Sequence, residues 1–129
     1  MKLSDIREAA RKKYGVDRFQ VEGDDGNVVA EFHSFLCLSE DRKKKVDALR
    51  REDERRAAER RKAIDDGKAV DVSSFEKFDL LREQMLVLAV NEAREKKFLA
   101  ELSDRDLATL WDEYERETQQ GEAESSPTT

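Results

Sequence analysis

Phe19-Gln-Val-Glu-Gly-Asp-Asp-Gly-Asn-Val-Val-Ala-Glu-Phe-His33 is the stretch that decides the fold class. Phe19 and Val21 alternate with polar neighbours, and an extended apolar pattern resumes at Val28. Between them, Gly23-Asp-Asp-Gly-Asn27 is dense in residues that tolerate positive φ and make turns. The pattern predicts a β-hairpin, with extended chain continuing into Phe35-Leu-Cys-Leu38. Two strands alone are only marginally stable in water. Phe19, Val21, Val28 and Phe32 therefore need helices to cover them, and the chain should be α+β, mainly α.

On the N-terminal side, Ser4 can cap a short helix that Gly15 ends. Asp5 and Glu8 suit its positive pole, and Ile6, Ala9, Ala10 and Lys13 share a face. A helix of this length is marginal alone, so it is expected to dock. On the C-terminal side, Ser39 opens a helix that runs to Asp66, with Val46 and Leu49 on one face and Gly67 as its stop. Its second half, Arg50 to Lys62, has almost no apolar face. Spaced charges at Asp41/Lys45, Asp47/Arg51 and Glu52/Arg56 should support it by about 0.2–0.5 kcal/mol per pair.

Lys68 to Val72 reads as a connector, and Ser73-Ser-Phe-Glu76 as a capping box. The helix it opens, 74–97, is the most apolar of the chain. Phe75, Phe78, Leu81, Met85, Leu88 and Ala89 form one stripe, and Leu80, Leu86, Val87 and Val90 a second. Such a helix belongs at the centre of a fold. A last helix, capped by Ser103 and Asp104, carries Leu107, Leu110, Trp111 and Tyr114 at i, i+3, i+4 and i+7. The architecture expected is a short N-terminal helix, a β-hairpin, then three helices around a central apolar helix. Residues 1–120 form one small domain (1–38 helix plus hairpin, 39–67 charged helix, 73–118 helical core), and 121–129 a tail too polar to offset its ordering entropy.

Composition narrows the function classes. The chain has 129 residues, 43% of them charged, and a net charge of -6. No apolar run approaches the ~20 residues that span a bilayer. The first residues lack the apolar segment of a secretory signal, and the lone Cys37 forms no internal disulfide, which fits a reducing cytoplasm. An acidic balance argues against a dedicated nucleic-acid binder.

Candidate chemistry is sparse. His33 and Cys37 are the only soft ligands, and a structural zinc needs about four. They read better as a residue on a strand face and a small buried apolar side chain. The many carboxylates fall on solvated helix faces, and Gly23 and Gly26 lack the Lys-Ser or Lys-Thr of a phosphate loop. No enzyme activity, cofactor, metal or catalytic residue is expected. The basic cluster Arg50–Lys62 offers an RNA contact. Interleaved Glu52, Asp53, Glu54 and Glu59 cancel its field beyond a Debye length of ~8–10 Å, however, and it holds no stacking aromatic. The apolar stripes remain. Leu107, Leu110, Trp111, Tyr114 and Met85 are the expected partner-binding residues, since Trp and Tyr concentrate interface energy. Helix-in-groove contact is the expected mode.

Three stretches resemble the tail assembly chaperones of long-tailed actinobacterial phages, in the shorter, non-frameshifted product. They are Asn27 to Leu49, an extended segment leading into a capped basic helix; the Leu- and Val-rich Leu80 to Val90; and Leu107-Ala-Thr-Leu-Trp-Asp-Glu-Tyr114 followed by Gly121-Glu-Ala-Glu-Ser-Ser-Pro127. Arg50–Lys62 is more charged than that pattern. The resemblance implies a non-catalytic protein of the host cytoplasm that binds and solubilises the tape measure protein during tail morphogenesis. It further implies homo-oligomers, a longer form made by ribosomal frameshifting, and absence from the mature virion. The alternatives are a structural virion protein, such as a head–tail connector or tail terminator, and a host regulator that binds nucleic acid through Arg50–Lys62.

Overall fold

The hairpin forms where the alternation places it. In the computed structural model, which describes residues 1–67 and 75–118, β1 (Arg18–Glu22) pairs antiparallel with β2 (Val28–His33). Phe19 stands opposite Phe32 and Val21 opposite Ala30, with a bulge after Val21. The turn closes through Gly23 N–H donating to Asn27 O at 2.8 Å, with Gly26 at φ 83°. Phe19 and Phe32 are buried as expected and Val21 is half-buried, while Val28 sits at the turn end and is exposed; Ala30 is buried as well. Phe35–Cys37 departs from the expected extended chain: it coils into a 3-10 turn that buries Leu38 and leaves Leu36 outside.

Among the described residues five α-helices accompany the hairpin: α1 (Leu3–Tyr14), α2 (Glu40–Asp65), α3 (Phe75–Val87), α4 (Glu92–Glu101) and α5 (Asp104–Thr118). The class is α+β and mainly α. At α1 the cap is the Asp5 carboxylate, which accepts from Lys2 N–H at 3.1 Å, rather than Ser4. Ser39 caps α2 by accepting from Arg42 N–H, and Ser103 caps α5 by accepting from Asp106 N–H at 3.1 Å. Ser73, the side chain of Glu76 and the tail 121–129 lie outside the described residues.

The expected helix 74–97 is two helices, so four helices rather than three follow the hairpin. The break has a specific cause. Leu88–Val90 leave the helix to pair with the free edge of β2: His33 N–H donates to Leu88 O at 2.7 Å, and Val90 N–H donates to Glu31 O at 3.0 Å. An edge strand's unpaired groups are thereby satisfied. Asn91 then restarts helix, its side chain accepting from Arg94 N–H, while the buried Glu95 carboxylate accepts from Asn91 N–H.

α3 packs against α2, α4 and α5, whereas the hairpin rests chiefly on α4 and α5. The centre is therefore shared. Phe19, Phe32, Met85, Leu88, Leu99, Leu107 and Tyr114 form one buried cluster, which Val46 of α2 completes. Arg82 ties three helices together: its guanidinium donates to Leu99 O and Leu102 O at the end of α4, and to Asp104 at the start of α5. Leu99 O also accepts from Leu102 N–H at 3.3 Å, and the end of a helix, where carbonyls point outward, suits a cation. α1 buries no residue. Among the described residues nothing docks on α1.

Candidate binding surfaces

The five residues expected to meet a partner separate in the structure. Met85, Leu107 and Tyr114 are at most 1% exposed, so they are core and offer a partner no surface. Tyr114 donates its hydroxyl to His33 O at 2.8 Å and sets its ring edge-on to Phe19. Burial is the main reason its phenol titrates far above the usual range. Leu110 and Trp111 are half-buried and face different surfaces. Trp111 stacks on Tyr114, with centroids 5.4 Å apart, and borders a shallow polar hollow beside Arg50 and Glu115. Leu110 lies in the floor of a groove on the other side of α5.

Two apolar grooves cross the surface. The first runs between α2 and the end of α3. Ala48 and Leu49 face Leu86 and Val87 across a volume of about 500 Å³. Its rims carry opposite charges: Arg42 and Lys45 on α2, Glu83 and Glu92 on α3 and α4. Arg42 also donates to Ala89 O at 3.2 Å, which fixes the α2 rim against the Leu88–Val90 segment. These apolar positions follow from the two stripes of the α3 sequence: Met85 and Leu88 turn inward, and Leu86 and Val87 are left on the surface.

The second groove lies between β1, the end of α4 and α5. Phe19, Val21, Phe98, Leu102 and Leu110 make its floor, across about 490 Å³. Glu22, Asp106, Glu113 and Glu117 stand on its rims, and no Lys or Arg is among its lining residues. Glu113 pairs with Arg116 and Asp106 with Arg105, but both arginines are largely exposed and outside the groove.

The remaining candidates have structural surroundings. Burial, with Arg18 and Arg42 nearby, holds His33 below the ordinary imidazole range. Cys37 is exposed rather than buried as expected, because the 3-10 turn over Phe35–Cys37 turns it outward; partial desolvation with the Asp17 carboxylate pushes its thiol up, the opposite of an activated thiolate. In the Arg50–Lys62 segment the charges are engaged with one another. Arg55 bridges Glu52 and Glu59 at 2.5 and 2.6 Å, and Arg56 reaches Glu52 at 3.0 Å. Arg55, then Arg56, holds the Glu52 carboxyl down at about 2. Of the three charge pairs expected on α2, Glu52/Arg56 forms. Lys43/Glu40 and the Arg55 bridge supply others. Among the described residues no cluster of three or more His, Cys, Asp or Glu is placed to hold a metal ion. No helix among them is long and apolar enough to cross a membrane.

Arg82, Asn91 and Glu95 organise the site's scaffold and were not singled out from sequence. Asn91 followed by Glu95 carries a cap-like signal inside an apolar run, whereas nothing local marks Arg82, whose partners lie 17 to 22 residues away. Comparison with known proteins adds no relative: no family model, no curated protein and no solved structure matches the chain.

Proposed function

We propose that this protein is a phage tail assembly chaperone that holds helices of the tape measure protein by apolar contact and makes no bond. The observation that supports the reading is the α2–α3 groove, apolar in its floor and oppositely charged along its two rims. An amphipathic helix seats its apolar face in such a groove, and charged flanks orient it. A long helix-rich client would offer many such faces, so many weak sites would add through effective concentration. The net charge of -6 keeps a coated client dispersed. The sequence resemblance names the client.

The reading expects a tape measure gene directly downstream, and coexpression with its product tests it. The client should stay soluble and copurify with the native chain. Leu49→Glu, at a half-buried groove position, should lose the client while circular dichroism stays unchanged. A client that remains insoluble sinks the proposal. So does recovery of this chain in purified virions as a ring of fixed stoichiometry, which would mark a structural virion protein instead.

A further inference from the structure

Helix α1 projects an apolar stripe that nothing among the described residues covers. Leu3, Ile6, Ala10 and Tyr14 fall within about 80° of one another at 100° per residue. Leu3 is 60% exposed and Ile6 51%. Arg7 and Arg11 flank the stripe on one side and Lys2 and Lys13 on the other, while Asp5 and Glu8 lie on the far face. The β1–α5 groove is its counterpart: an apolar floor rimmed by Glu22, Asp106, Glu113 and Glu117. The lengths also agree. α1 has 12 residues and is about 18 Å long, and the α5 rim from Asp106 to Glu117 spans about 16 Å.

Among the described residues the chain does not close this joint on itself. Gly15, at φ 85°, lies so near the end of α5 that a Cβ there would stand 2.1 Å from Glu117 O. Val16 N–H donates to that same oxygen at 3.1 Å. The root of α1 is thus fixed at one end of the groove, and the helix leaves with its stripe uncovered.

We propose that the occupant of the β1–α5 groove is helix α1 of a second copy, and that two copies exchange α1 reciprocally in a two-fold dimer. Each joint sets basic flanks between acidic rims and buries one apolar stripe, and the symmetry makes two joints. The proposal stands apart from the client reading, which uses the α2–α3 groove.

Light scattering on the full chain tests it. The native chain should be a dimer that weakens as NaCl rises from about 50 to about 500 mM. Ile6→Asp, at a position already exposed, should keep the fold and weaken the dimer by about tenfold or more. The double variant Arg7→Glu/Arg11→Glu should be monomeric, as should Glu22→Lys/Glu113→Lys. Mixing the two should restore a dimer, since each α1 then meets an oppositely charged groove. A native chain that is monomeric, a dimer indifferent to Ile6→Asp, or a mixture that stays monomeric overturns the proposal. So does a monomer whose α1 amides are protected from exchange, because its own groove would then hold α1. Sedimentation with phosphatidylserine vesicles that Ile6→Asp abolishes, in a chain that is monomeric without them, assigns the stripe to a lipid surface and overturns it too.

Discussion

Three side chains show how single contacts hold this fold. Arg82 satisfies two carbonyls at the end of α4 and one carboxylate at the start of α5. Arg82→Met keeps much of the apolar stem but removes the donor to Leu102 O and Asp104 and leaves Leu99 O with Leu102 N–H alone, so unfolding in urea should show a loss of about 1–3 kcal/mol. Tyr114→Phe removes the hydroxyl that donates to His33 O and that also meets Thr118 and the Phe35 backbone. It should cost about 0.5–1.5 kcal/mol, with the Trp111 stack retained. His33 gives a pH dependence. Desolvation, aided by Arg18 and Arg42, lowers its folded pKa below the ordinary 6.5, against the weaker pull of Glu31 and Asp17. The unfolded chain therefore binds the proton first. The stability associated with a neutral His33 is fully present above pH 6.5 and declines as pH falls through the folded pKa. His33→Gln, which leaves the backbone bonds of residue 33 in place, should flatten the slope of melting temperature between pH 7 and 5. An unchanged slope would place the titration elsewhere.

At the scale of elements, the local signals and the long-range ones part company. Ser39, Ser103, Gly15, Gly67 and the Gly23–Asn27 turn act within a few residues of themselves. Each was legible in the sequence because its chemistry is local: a hydroxyl over a helix start, or a glycine at positive φ. The break at Leu88–Val90 was not legible in the same way. No glycine or proline marks it, and the apolar period runs straight through. Its cause is the open edge of β2, more than fifty residues earlier, which draws Leu88 O and Val90 N–H out of the helix. The burial of Leu107 and Tyr114 is not legible for a related reason. An apolar stripe on α5 has an inner and an outer edge, and sequence gives no means to tell Leu107 and Tyr114, which are core, from Leu110 and Trp111, which are half-exposed. Gly15 tests the joint between elements. Gly15→Ala would drive a methyl into Glu117 O at a backbone angle that alanine resists. Either α1 or the end of α5 must move. Thermal unfolding should start several degrees lower, and the amides of residues 16 and 118 should lose protection together.

For the whole molecule, stability is unevenly spread. The buried cluster is supplied by the hairpin and α3–α5, with Val46 of the first half of α2. The second half of α2 extends beyond it. Ile64 is 62% exposed there, and the helix depends on the network around Arg55 and Glu52. Exposed ion pairs of this kind contribute little and weaken with salt, and regions with few buried apolar contacts open first. Hydrogen exchange should therefore resolve two regimes. Amides from about Arg55 to Asp65 should exchange well before those of α3, α4 and α5, and faster still at high salt, while the core amides should hardly respond to salt. Uniform protection along α2 would mean that its charged half is held by contacts beyond this ion-pair network. A salt response shared by α4 and α5 would mean that the core itself depends on surface charge. If the two regimes appear, the first half of α2, which carries the Leu49 wall of the α2–α3 groove, belongs to the rigid part of the molecule. The groove would then be held open ahead of any client, and the ordering of its walls would not have to be offset on binding.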